Sequence, residues 1–97
     1  MKGYWIVLGQ DVTDQVAQKQ YVELWAPIAE KYQAKLKLLD ASVALKESLG
    51  TRRVMAVEFP SYAAAKACYE EAAYQNAKEF AVRASKRELL IIEADLA

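Results

Sequence analysis

One stretch constrains this chain more than any other: Arg-Arg-Val-Met-Ala-Val-Glu-Phe-Pro-Ser-Tyr, from Arg52 to Tyr62. Its β-branched and apolar residues predict a strand over Arg52 to Phe59. The two alternating sets are Arg52, Val54, Ala56, Glu58 and Arg53, Met55, Val57, Phe59, and the bulkier second set suits a layer of helices. Pro60 then stops the ladder because it has no N–H to give. Ser61 stands where a helix N-cap belongs, so the strand runs straight into a helix. Any architecture for the chain must place a strand, a sharp stop and a helix start within this span.

The other segments read around it. Tyr4 to Leu8 is aromatic and β-branched, apolar on both alternations, and predicts a central strand ending near Asp11. Thr13 or Asp14 can cap a helix whose apolar stripe is Ala17, Tyr21, Leu24, Trp25, Ile28 and Tyr32. Pro27 predicts a kink in that helix. Leu36 to Val43 reads as an edge strand with alternating lysines, and Ala44 to Thr51 as a loop with a short helical turn over Leu45 to Leu49. Tyr62 to Ala73 is an Ala-rich helix with Ala65, Cys68, Tyr69 and Ala72 on one face. Tyr74 to Ser85 continues with Ala77, Phe80, Ala81 and Ala84 inward, as a second helix or a bend in the first. Glu88 to Glu93 is the last strand.

The order βαββαβ is that of the ferredoxin-like α+β plait, with a four-stranded antiparallel sheet and helices on one face. The whole span 1–97 reads as a single domain. Right-handed crossovers place the first and third strands in the centre. Two helices cover one sheet face only, yet the first and last strands are apolar on both, so a second copy packed face to face is the expected cover. Lys+Arg and Asp+Glu balance at 13 each, which argues against a nucleic-acid groove. His is absent and Cys68 stands alone. No disulfide framework, metal-ligand spacing or cofactor motif is present, so metal and cofactor are both expected to be none. No apolar run approaches the roughly 20 residues of a membrane span, and the apolar run Tyr4 to Leu8 is too short for a signal peptide, so the expected location is cytoplasmic, with no membrane partner.

Several segments together resemble a bacterial family known as domain of unknown function 1330, within the dimeric α+β-barrel superfamily. They are Lys2-Gly3-Tyr4-Trp5-Ile6, Val12-Thr13-Asp14, Ala26-Pro27 with Lys31-Tyr32, and Arg52-Arg53 through Val57-Glu58-Phe59-Pro60-Ser61. Ala65-Lys66-Ala67 with Tyr69, Tyr74-Gln75 and Leu90-Ile91-Ile92-Glu93 complete the set. The resemblance implies two plaits pairing their sheets into a barrel, with a cavity in each subunit between sheet and helices or loops. It implies no fixed reaction; relatives in the superfamily include cofactor-free monooxygenases, lactone isomerases and haem-binding enzymes. The chain departs from the family where glycines are usual, at Ala34-Lys35 and Leu39-Asp40-Ala41-Ser42, and it has Glu71-Ala72-Ala73-Tyr74 in place of a Ser-Pro-Glu-Tyr run.

Glu58 is the candidate acid/base: a carboxylate inside an apolar strand acquires a raised pKa when desolvated. The expected geometry has it facing Arg52 or Arg53; the alternative for Glu58, and for Glu93, is a structural ion pair or a strand-end carboxylate in water. Arg52 and Arg53 are candidates to clamp a carboxylate or phenolate. Tyr4, Trp25, Tyr32, Tyr69 and Tyr74 are candidates for an aromatic pocket wall, against the plainer role of core packing. Two functions follow: a small-molecule binder or enzyme for an aromatic or acidic metabolite, or a non-catalytic dimerisation module.

Overall fold

The computed structural model describes residues 1–39 and 43–96. The elements are β1 (Lys2–Gly9), α1 (Gln15–Lys31), β2 (Lys35–Leu39), β3 (Arg53–Phe59), α2 (Tyr62–Glu70), α3 (Ala72–Ala84) and β4 (Arg87–Ala94). They form one antiparallel sheet in the order β2-β3-β1-β4, with the helices on one face. This is the α+β plait expected, with β1 and β3 at the centre.

Local chemistry sets the boundaries. Asp14 is the cap of α1, accepting from the Ala17 amide at 3.0 Å, and Ser61 caps α2 through the Ala64 amide at 3.0 Å. α1 runs through Pro27 without a break; the proline lies on the exposed side. α2 and α3 are two helices, separated at Glu71, whose backbone is extended (φ −64°, ψ 141°). Several boundaries differ from the sequence reading: β2 opens at Lys35, α2 ends at Glu70, and α3 spans Ala72–Ala84. β1 stops at Gly9, and β3 starts at Arg53 rather than Arg52. Residues 45–49 form bends and not a helical turn, and β4 takes in Arg87 and Ala94. Val43 is not in a strand, and 40–42, counted in the second strand by the sequence, lie outside the described residues.

The register sorts the side chains. Trp5 pairs with Val57 and Ile91, Gly9 with Arg53 and Arg87, and Tyr4 with Glu58 and Ile92. One face therefore carries Trp5, Val7, Arg53, Met55, Val57, Phe59, Arg87, Leu89 and Ile91 toward the helices. The other carries Tyr4, Ile6, Leu8, Val54, Ala56, Glu58, Leu90 and Ile92. Trp5 is the hub of the core: it is 1% exposed, and its ring lies within 6 Å of Trp25, Phe59, Tyr69 and Tyr74. Its indole N–H donates to the Ala65 carbonyl at 2.9 Å, which ties β1 to α2.

The helices do not cover the sheet evenly. α2 lies directly on β1, and α1 lies along α3 instead of descending onto the strands. Side chains bridge the gap, Trp25 reaching Trp5 with ring centres 5.3 Å apart. The turn between β1 and α1 is pinned to the end of α3: the Thr13 amide donates to the Ala84 carbonyl at 2.8 Å, and the Gln10 amide to Lys86 at 2.8 Å.

Candidate functional site

Where α1 stands off the sheet, a cavity of about 230 Å³ remains. Its floor is Trp5, Val7, Met55, Val57 and Leu36 from the strands; Tyr21, Val22, Trp25 and Ala29 of α1 form the roof. The rim is apolar as well: Val22 is 52% exposed and Leu36 56%.

Polar groups gather at one end. Arg53 and Arg87 flank Gly9 in register on the helix-facing side, and both line the cavity with Gln18, Tyr21 and Ser85. Gly9 is what leaves them room. A Cβ there would sit 3.5 Å from the Arg53 Nη1 and 3.7 Å from the Arg87 Cβ, so any longer side chain would fill the space between them. No carboxylate lines the cavity, and neither arginine is in an ion pair among the described residues. The Arg53 Nη1 makes one long bond, 3.5 Å, to the Gln10 carbonyl. The Arg87 Nη2 donates to the Tyr74 hydroxyl at 2.7 Å, and the guanidinium lies 5.0 Å above the Tyr21 ring. Burial pulls the Arg87 guanidinium down, but the Tyr21 and Tyr74 phenols more than offset this and hold its pKa above the usual value. Two cations with spare donors and no counter-charge, at the polar end of an apolar slot, are the chemistry that can donate charge-assisted hydrogen bonds to an organic anion.

Of the residues predicted from sequence, Arg53 and Trp25 line this cavity. Arg52 is exposed, and its side chain belongs to the other alternation. Tyr69 packs on Trp5 and Tyr74 inside the core. Tyr32 sits at the end of α1 beside the Lys31–Glu71 ion pair, and burial raises its phenol. Tyr4 is 2% exposed on the opposite sheet face, where its hydroxyl donates to Glu58 at 3.3 Å and accepts from the Leu96 amide.

Glu58 shares that opposite face, so the sheet separates it from Arg53. The expected juxtaposition fails because odd and even residues of a strand point to opposite sides. Its partner is instead Lys2, 3.1 Å away. The hydrogen bond from Lys2 outweighs burial and lowers the Glu58 pKa, the reverse of the rise expected for a lone buried carboxylate. Burial pushes the Cys68 thiol up to about 12, which makes it inert. Among the described residues no three His, Cys, Asp or Glu side chains gather as a metal set.

Sequence reasoning missed Arg87, Tyr21 and Gly9. Arg87 fell outside a strand begun at Glu88, although Arg87, Leu89 and Ile91 alternate as one face. Tyr21 read as core because it lies on the α1 stripe.

The chain belongs to the family described as domain of unknown function DUF1330, whose model matches residues 2–95. No curated protein matches it. Among solved structures it is similar to a protein of unknown function from Rhodopseudomonas palustris, with a TM-score of 0.72 and 14% identity over 99% of this chain and 84% of that one. A dimeric ferredoxin-like protein of unknown function from Jannaschia sp. CCS1 gives 0.66 and 14%, over 97% and 100%. The hydroxynitrile lyase of Passiflora edulis gives 0.63 and 15%, over 99% and 95%. At these identities the likeness establishes the fold.

Proposed function

We propose that this DUF1330 family member binds a small aromatic acid in the cavity between sheet and helices, and does so as a homodimer. The observation that carries the reading is the pair Arg53 and Arg87, uncompensated at the polar end of an otherwise apolar slot. A carboxylate placed there would take charge-assisted hydrogen bonds from both. The body of the ligand would lie against Trp25, Met55 and Val57. Volume limits its size: a cavity of roughly 150 Å³ holds benzene, so about 230 Å³ takes one ring, a carboxylate and a short link.

The homodimer rests on the opposite face. Ile6, Leu8, Ala56 and Ile92 are only part-buried and Leu90 is 41% exposed, a contiguous apolar surface on the bare side of the sheet. Similar folds, such as the Jannaschia protein, are described as dimeric. Glu58, with Lys2, belongs to this surface, and its role is to tie the two central strands β1 and β3 together rather than to transfer protons.

Isothermal titration with phenylacetate and 3-phenylpropionate tests the ligand reading. Millimolar or tighter binding that weakens at least tenfold in Arg53→Met is expected. Absence of binding, or equal binding by Arg53→Met, rules the site out.

A further inference from the structure

The cavity's polar end holds a hydrogen-bond chain that the anion-binding reading does not use. Tyr74 is fully buried, and among the described residues its hydroxyl meets only two groups: the Arg87 Nη2 at 2.7 Å and the Tyr21 hydroxyl at 3.1 Å. Arginine can only donate, so Tyr74 accepts from Arg87. The phenol proton of Tyr74 then has one place to go, the Tyr21 oxygen; turned elsewhere it would be a buried, unmet donor, which is strongly disfavoured. Burial pushes the Tyr74 pKa far up, so that proton is present at every working pH. The direction of the chain is thereby fixed. Arg87 gives to Tyr74, Tyr74 gives to Tyr21, and Tyr21, which lines the cavity, is left with its own proton to offer.

We infer that Tyr21 is a dedicated hydrogen-bond donor in this site, oriented by Tyr74, and that the preferred ligands are aryl 2-oxo acids. This rests on the anion-binding reading. The Tyr21 hydroxyl is two hydrogen bonds from the Arg87 guanidinium, and its ring lies beneath that same group. An acceptor meeting Tyr21 therefore lies beside the carboxylate, where a 2-oxo acid carries its carbonyl. A carbonyl oxygen only accepts, matching a group that only donates. A 2-amino acid fails twice: its ammonium cannot accept, and it would stand near two arginines. A 2-hydroxy acid can accept, but it leaves its own proton facing a donor. Tyr21 is thus a specificity-determining residue, and Tyr74 a positioning residue that acts through it.

Three ligands of one size separate these cases: benzoylformate, which cannot enolise, mandelate and phenylacetate. With the wild-type protein, titration calorimetry should rank benzoylformate about five- to tenfold tighter than phenylacetate, the worth of one added neutral hydrogen bond. Tyr21→Phe should erase that preference, benzoylformate then binding no tighter than phenylacetate to the same variant. Tyr74→Phe frees the Tyr21 oxygen to accept, so mandelate should gain on benzoylformate. Equal wild-type affinities for benzoylformate and phenylacetate, with phenylacetate still dependent on Arg53, overturn this inference and leave the anion site standing. A preference that survives in Tyr21→Phe also overturns it. An unchanged ratio of mandelate to benzoylformate in Tyr74→Phe removes the positioning role. Failure of all three acids to bind removes both the inference and the site.

Discussion

Tyr74→Phe isolates a single oxygen at the junction of α1, α3 and β4. The ring is fully buried, and phenylalanine keeps its contacts with Trp5, Tyr21, Trp25 and Tyr69, so no cavity term enters. What goes is a charge-assisted bond from Arg87 and a neutral one to Tyr21. The first is worth about 1.5–3 kcal/mol and the second about 1 kcal/mol. Arg87 and Tyr21 are both part-exposed and regain water, so the net loss falls at or just below the bottom of the combined range, about 2–3 kcal/mol. For a 97-residue domain this lowers the melting temperature by about 10–15 °C. Tyr21→Phe breaks the neutral bond and leaves the buried Tyr74 proton unmet, so it should cost about 1–3 kcal/mol. The double variant should fall short of the sum by at least about 1 kcal/mol, because the shared bond is counted once and the unmet proton is gone. Urea unfolding followed by far-UV circular dichroism measures all three. A Tyr74→Phe protein within about 0.5 kcal/mol of wild type, the range of ordinary surface changes, would refute the chain of bonds on which Tyr21 depends.

Gly3→Ala should destabilise by about 1–3 kcal/mol, since α2 must move off the strand. The new Cβ would lie 2.5 Å from the Ser61 carbonyl oxygen and 2.7 Å from the Tyr62 Cα, both backbone. Thermal unfolding reads this directly, and an unchanged midpoint would contradict the close approach of α2 to β1. Glu58 has a folded pKa below the ordinary 4.5, so it contributes stability that is present above that value and lost as pH falls through the folded one. Urea curves of Glu58→Gln and wild type should therefore differ at pH 7 and converge as pH falls below the folded pKa; a constant gap would show that Lys2 does not hold the carboxylate charged. Leu90→Lys places a cation on the bare sheet face and should convert the proposed homodimer to a monomer by analytical ultracentrifugation. An unaltered dimer would put the interface elsewhere.

The span from Arg53 to the cap at Ser61 was legible because each residue's local chemistry points the same way: alternation, then a missing N–H, then a hydroxyl acceptor. The caps, the helical stripes and the central position of β1 and β3 follow from equally local rules. What was not legible depends on register and on element ends. Arg52 and Arg53 look equivalent in sequence, and only parity across Gly9 puts Arg53 in the cavity and Arg52 outside it. Glu58 looked like an isolated buried carboxylate because Lys2, 56 residues away, meets it only after β1 and β3 have paired. Arg87 was hidden by a strand start placed one residue late. Tyr21 was visible as a helix-stripe aromatic, but nothing local marks which aromatic of a stripe lines a void.

β1 explains why a cavity exists at one part of this small fold and not at another. It carries a glycine at each end, doing opposite work. At Gly3 the absent side chain lets α2 settle onto the strand, with the Ser61 carbonyl and the Ala65 methyl in the space a Cβ would need. That end is closed and packed. At Gly9 no helix descends; α1 is held away by its packing along α3 and by the turn pinned to the Ala84 carbonyl. The vacant position is flanked by two arginine side chains instead of a helix backbone. A larger residue at Gly3 would lift a helix, while a larger residue at Gly9 would leave the helices in place and fill the room between the guanidiniums. The proposed anion site is thus a consequence of where the helices are not, and its chemistry is set by the one β1 position where the sheet offers backbone between two charges.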